Sequence, residues 1–581
     1  MSRQDARSAR KNREIGRQDT RNARVPPRRV FGFEPKSLGF FLATLASWRP
    51  VSGFFLALLA SWRPIPILLV GASLPACRGS AAAASALDDG GSVPVVLATP
   101  SASAANPFSV AAAKVATDTD RFPKTLAALA WETKVFDAPN ASGKVLGYLR
   151  AGATVAADDD ARPGDGCKGD WHGVSPVGFV CVEPGNATMD PKAKMAMALS
   201  HRPDLSQRLP YMYGIVRRQG PIYARLPTRA EAKANELGLD DHMARWLSDG
   251  TDDGAAFRPE YWLRGKTETP PPASALWASG ESREVPDWLS DGKFPPVVSP
   301  LRHGEDLVVG VTKNHNGFAL VDTAVVDGRR YGITTDLLVY PVDRMRPIEG
   351  SAFHGYRVPE DVQFPFALVR RENAFAFSLH KGKWTKAHPV ERRSAIPLTG
   401  KQKFVEGVLH FQTTDGLWLS DRFVSRVDGV KHMPKWANDG ERWIDVSIAK
   451  QVLMAYDGTK PVYVTLVSTG EAGLEDPETT KSTVQGIFRI HTKHLTTTMS
   501  SSVVGEEFEL KDIPYVQYFQ DSYALHAAYW HDDFGTPRSH GCINLAPEDA
   551  KFLFQFTEPQ LPSGWHGVRK ALSGSVVFIH P

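Results

Sequence analysis

Cys542, one of four cysteines in the chain, follows His540 by two residues and His526 by sixteen, in the run Ser539-His540-Gly541-Cys542-Ile543-Asn544. A thiol is mostly protonated near neutrality, so a nucleophilic sulfur needs an imidazole that takes its proton or holds the thiolate as an ion pair. Gly541 removes a Cβ from beside the sulfur, which lets the Gly541 and Cys542 N–H groups close on the oxyanion of a tetrahedral intermediate. Types and spacing together describe acyl transfer. Spacing does not choose the base: His540 is nearer in sequence, while His526 can face the sulfur from a neighbouring strand. Two competing chemistries use the same residues. Cys542 as a small buried hydrophobe is one, and a zinc site drawn from His526, His531, His540 and Cys542 is the other. Structural zinc draws paired ligands at tight spacings, so the site is expected to be metal-free and to need no cofactor.

The elements around these residues are legible too. Ser539 and Asn544 are expected to shape the turn through local hydrogen bonds at the edge of the substrate site. Arg538 is a candidate receptor for a substrate carboxylate, and Tyr523 and Tyr529 are candidates to line the cleft or to pack as aromatics. Pro547, Glu548 and Asp549 read as the first turn of a helix with Phe552, Leu553 and Phe556 on its apolar side. That helix starts about five residues after the sulfur, where its dipole favours a thiolate only weakly. Upstream, Ile444, Val446 and Ile448 alternate with Asp445 and Ser447, residues 452–456 form a second run, Asp457-Gly458 a hairpin turn, and residues 462–467 a third strand.

The stretch from Ala524 to Leu545, with His526 upstream of Ser539-His540-Gly541-Cys542-Ile543-Asn544, resembles the signature of the YkuD-type L,D-transpeptidase catalytic domain. The resemblance covers roughly Arg442 to Pro581 and implies a β-sandwich. It implies that Cys542 is the nucleophile and His526 the proton donor and acceptor, with its other ring nitrogen on a backbone carbonyl such as that of Ala527. His540 then lines the pocket and supports the developing charge. Thr483-Val-Gln-Gly-Ile-Phe488 stands where the family has Thr-Pro-x-Gly-x-Phe, so Val484 departs from the usual Pro. The implied partners are peptidoglycan stem peptides, with another stem, a wall-attached protein or water as acyl acceptor. A retired enzyme serving as a non-enzymatic wall-binding lipoprotein, or a cysteine peptidase acting on ordinary L-peptides, would share the nucleophile.

The remaining sequence sets the context. The formal charge is +4, but residues 1–77 carry thirteen Lys/Arg against four Asp/Glu, which leaves 55 basic against 60 acidic residues beyond them. A mildly acidic body argues against nucleic acid as a partner. Residues 1–77 read as an export segment, Arg-rich and then apolar, ending in a lipobox-like Leu74-Pro-Ala-Cys77 with Cys77 as lipidation site. An uncleaved signal anchor is the alternative, disfavoured by Arg63 within the apolar run. Either way the expected location is the cell envelope, with membrane contact through this segment alone. An Ala/Ser-rich disordered linker follows over 78–125. Short apolar runs between Pro, Gly, Asn and Asp turns over 126–187 resemble a bacterial SH3-like β-barrel. Cys167 and Cys181 fall within it and are expected to pair, which is worth roughly 3 kcal/mol for a loop of about 15 residues. Residues 188–440 read as β-rich with a linker near 267–300 and no evident constellation, and 441–581 as the catalytic domain. The fold class is therefore mainly β.

Overall fold

The structure is a computed structural model and describes residues 120–193, 196, 199, 203–248, 255–257, 305–501, 507–569 and 574–581. The export segment with Cys77, nearly all of the 78–125 linker and the 267–300 linker lie outside the described residues. The fold is mainly β, as the turn-punctuated apolar runs predict.

Seven short strands occupy 124–188, starting with Lys124–Ala128, two residues before the expected boundary. Leu126, Val135, Leu149, Val155 and Val180 form their core, and Cys167 and Cys181 are joined by a disulfide with a Cα–Cα distance of 5.7 Å. The 188–440 region, read as β-rich without an evident constellation, holds two further β units. One spans 212–348 and contains a buried Arg329 whose guanidinium forks onto Glu236 and Asp343. The other, over 366–427, is a seven-stranded sheet.

The C-terminal sandwich begins upstream of residue 441. Its six-stranded sheet runs in the order Tyr356–Arg357, Lys460–Leu466, Val452–Asp457, Arg442–Ser447, Val576–His580, Gly486–Arg489. Tyr356 pairs with Val464, so the 366–427 unit is an insertion between two strands of one sheet. The edge backbone of Lys460–Leu466 gains partners that sequence periodicity did not reveal.

Alternation decides what each strand buries. Ile444, Val446, Leu453 and Ala455 point into the sandwich interior with Leu525, Ala527, Ile543, Leu545 and Leu553. Trp443, Val452, Met454 and Tyr456 point the other way and are covered by Phe366, Leu368 and Val427 of the inserted unit. Both faces are buried, which is why 452–456 reads as an unbroken apolar run.

The units are joined by backbone and by one buried carboxylate. Val145–Arg150 of the first unit pairs with Gly567–Arg569 of the sandwich, and Gly317 of the second bridges Leu510. Fully buried Asp512 accepts from Arg150, Thr335 and Thr496, which come from three different units, while its backbone carbonyl accepts from Tyr213 at 2.6 Å. An acceptor-only carboxylate surrounded by donors is satisfied here, where an unpaired one would be costly.

Candidate active site

The strands Tyr523–Ala527 and Ile543–Leu545 lie side by side and parallel, with Leu525 opposite Ile543 and His526 opposite Asn544. Leu525, Ala527, Ile543 and Leu545 are drawn into the core. With a side-chain period of two, His526, Cys542 and Asn544 are left together on the opposite face. Hydrophobic parity thus brings His526 and the cysteine together across sixteen residues. That face is walled by the second unit, where Tyr211, Tyr213 and Ile348 pack with Ala524 and Tyr529 beside Cys542.

Cys542 is half-buried, and its thiol donates to the Ser522 carbonyl at 3.6 Å. Burial pushes the thiol up to about 11, against which an Ala524 backbone hydrogen bond favours the thiolate. The following helix, Pro547–Phe556, does not reverse this. His526 is buried with Nδ1 3.2 Å from the Ala527 carbonyl. The ring proton therefore sits on Nδ1 and leaves Nε2 with its lone pair. Burial pulls this imidazole down to about 4. The resting pair is a neutral thiol and a neutral imidazole rather than an ion pair.

A third histidine belongs to the constellation. His531 is buried, with Nε2 3.0 Å from the Asn544 side-chain amide, and its Nδ1 accepts from the Asp533 N–H at 3.3 Å. Burial lowers it to about 4, with Arg538 and His526 among the charges that act on it. Asn544 therefore reaches across to another loop, while its own backbone pairs with Ser468. Sequence reasoning used His531 only as a rival metal ligand, and no local signal marked its pairing with Asn544. Among the described residues, three metal-type ligand atoms fall within 4.8 Å only at Cys167, Cys181 and Glu183, and those cysteines form the disulfide.

Gly541 differs from its expected role. Its N–H donates to Ser539 Oγ at 3.0 Å and so does not face an oxyanion, and its carbonyl accepts from Thr483 Oγ1 at 2.7 Å. Glycine is needed for another reason: φ is +124° and a Cβ would stand 2.7 Å from the Tyr523 ring. Ser539 Oγ also donates to the Cys542 carbonyl, so Ser539 ties the turn on both sides of Gly541. Thr483 Oγ1 in addition accepts from the Gly470 N–H at 2.8 Å, which fixes a second loop to the nucleophile turn.

The outlying candidates separate. His540 is exposed with its ring 5.4 Å from that of Phe508. Arg538 is exposed and ion-paired with Asp533 of its own loop, which already supplies a carboxylate. Tyr523 is half-buried beside Gly541, its hydroxyl donating to the Pro477 carbonyl at 3.4 Å. Tyr529 is fully buried against Tyr213, with ring centroids 4.5 Å apart, so it packs rather than lines a cleft.

The inserted unit holds the loop between His526 and Cys542. Arg370 donates to the Gly535 carbonyl at 3.2 Å, Arg392 to the Asp532 carbonyl at 2.6 Å, and Arg393 pairs with the Asp532 carboxylate, which also accepts from Ser351. On the other side, buried Asp549 accepts from Thr465 Oγ1 at 2.5 Å, Tyr463 OH at 2.7 Å and Gly355 N–H at 2.7 Å. These bonds seat the start of the helix that follows the cysteine.

Residues 441–579 match the model of the L,D-transpeptidase catalytic domain, YkuD, and that segment is a domain of this class. Among solved structures, the chain is similar to an L,D-transpeptidase of Stackebrandtia nassauensis at 25% identity, covering 26% of this chain and 58% of that one, TM-score 0.18. A second, from Xylanimonas cellulosilytica, has 20% identity, coverage of 26% and 65%, and TM-score 0.19. A third, from Mycobacterium smegmatis, has 18% identity, coverage of 31% and 77%, and TM-score 0.20. The chain thus spans 58% and 65% of the length of the first two. No curated protein matches the chain.

Proposed function

We propose that this protein is a peptidoglycan L,D-transpeptidase that uses Cys542 as nucleophile. The observation that carries it is the shared face of His526 and Cys542 on adjacent parallel strands, inside a segment that matches the L,D-transpeptidase catalytic domain.

In this mechanism His526 Nε2 takes the thiol proton as the sulfur bonds to the carbonyl carbon of the third residue in a tetrapeptide stem. The tetrahedral intermediate collapses, the C–N bond to the terminal D-alanine breaks, and the imidazolium returns the proton to the departing amine. A thioester remains. An amine of another stem or of a wall-attached protein then attacks it, gives its proton to His526, and the restored thiolate takes that proton back. The neutral resting pair favours proton transfer during attack: a preformed thiolate–imidazolium pair would have to span pKa values of about 11 and about 4, on the order of 10 kcal/mol before mutual attraction. A substrate that displaces water and brings its own dipoles lowers that gap.

The basic, apolar leader and the Ala/Ser-rich stretch support export to the cell envelope with a reach away from the membrane. The 124–188 unit would act there as an SH3-like wall-binding module. The test is release of D-alanine from a tetrapeptide muropeptide: the full chain releases it and Cys542→Ala does not. Full release by Cys542→Ala would overturn the assigned nucleophile.

A further inference from the structure

The inserted 366–427 unit is a basic island within the mildly acidic stretch that follows residue 77. It carries eleven Lys/Arg against five Asp/Glu, whereas residues 78–581 as a whole carry 55 against 60. One sheet face of this unit supplies its core, built on Ala374, Ala376, Leu398, Phe411, Leu419 and Val424. The other face carries aromatic rings that belong to no core cluster. Pair registers set Lys386, Phe377, Trp418 and Gln412 in one row across four strands, and Lys403 opposite His410 in the next. Trp384 stacks on His410 at 4.6 Å and meets Trp418 and Phe377 edge-on at 5.8 and 6.5 Å. These four rings are only half-buried, while Lys386 and Lys403 are exposed.

Clustered aromatics on an open face are costly to leave to water unless a ligand covers them. Ring faces suit the C–H faces of sugars, and interleaved ammonium groups suit carboxylates. We propose that this face binds a glycan strand bearing carboxylate groups, and that the inserted unit is a glycan-holding module distinct from the catalytic cleft. The charge complementarity selects that occupant, since an uncharged glycan would make no use of the lysines. The proposal goes beyond the transpeptidase assignment, and only the choice of cell-wall sacculi as one probe rests on it.

The experiment uses the full chain with Cys542→Ala, so that turnover cannot affect binding. Co-sedimentation with purified sacculi and titration with hyaluronan, a soluble carboxylated glycan, are compared with Lys386→Glu/Lys403→Glu and with Trp384→Ala. We expect at least a tenfold loss of affinity for both probes in the lysine pair variant, a similar loss in Trp384→Ala, and weakening by salt. The lysine pair is exposed and leaves the fold intact, so it decides the matter if Trp384→Ala does not fold. In the Cys542 background the lysine variant should release D-alanine from a small tetrapeptide at the unaltered rate. Unchanged binding in the lysine variant overturns the proposal. Equal affinity for an uncharged glycan, or tighter binding of single-stranded DNA at the same face, overturns the assigned ligand. Absent D-alanine release with binding intact overturns the transpeptidase assignment alone.

Discussion

The protonation state of Cys542 gives the sharpest test, because the sequence leaves two modes of activation open, an imidazole that takes the proton during attack or one that holds a stored thiolate. Burial raises this thiol from 9.0 to about 11, which favours the first. At pH 7.4 a two-unit rise cuts the thiolate fraction about 100-fold. The more basic thiolate is intrinsically more nucleophilic, which with a Brønsted slope of about 0.45 restores roughly eightfold. Iodoacetamide should therefore alkylate Cys542 about tenfold more slowly than an ordinary exposed thiol, and the rate should rise about tenfold per pH unit from 6 to 9 with no plateau. The assay is mass-spectrometric peptide mapping in a Cys77→Ser background, since Cys167 and Cys181 are joined by a disulfide. His526→Ala should change this rate less than threefold, because no resting ion pair is lost, while D-alanine release falls on the order of 1,000-fold. A plateau below pH 8, or a large drop in alkylation with His526→Ala, would show a stored thiolate and refute the neutral-pair argument.

Gly541→Ala should reduce D-alanine release at least 100-fold and destabilise the fold by about 1–3 kcal/mol, since φ is +124° and the new methyl meets the Tyr523 ring; unaltered kinetics would show that the turn relaxes freely. Acid should unfold the protein early. His494, His526 and His531 are held at about 4 by burial and His566 is lowered as well. The unfolded chain binds their protons first, so their stabilisation is complete above pH 6.5 and drains as pH falls toward 4, by up to about 1.4 kcal/mol per pH unit for each. Asp549, raised to about 6, has the opposite sign between pH 3.8 and 6, so Asp549→Asn should steepen the loss seen by urea titration across that range. Arg150→Ala strands the buried Asp512 carboxylate and should cost about 3–5 kcal/mol, read as a lowered denaturant midpoint. Arg392→Ala/Arg393→Ala frees Asp532; kcat on a small stem peptide should fall about tenfold with KM little changed, together with faster hydrogen exchange over 531–538.

Much of the site was legible because its logic is local. The motif that names His526, His540, Gly541 and Cys542 lies within 22 residues, and the structure shows why it works: the period-two alternation around Leu525 and Ile543 sets His526 and Cys542 on one face once the core is filled. The same holds for the disulfide of Cys167 and Cys181, fourteen apart. What stayed hidden is long-range. Asp532 meets Ser351 across 181 positions and Arg393 across 139, and Asp512 meets Arg150 across 362. The Gly541 N–H was misassigned for a different reason: Ser539 lies two residues away, but whether its hydroxyl claims that donor depends on the turn's backbone angles.

By itself the chain order determined which groups are available for chemistry here: a thiol, and imidazoles at set distances from it along the backbone, in an order that resembles a known catalytic signature. Only the tertiary structure decided their electrical state and their support. Packing by residues hundreds of positions away partly desolvates the thiol and buries the His526 and His531 rings, and that desolvation, which no local pattern encodes, makes the resting site a neutral pair supported by the second unit and the inserted unit.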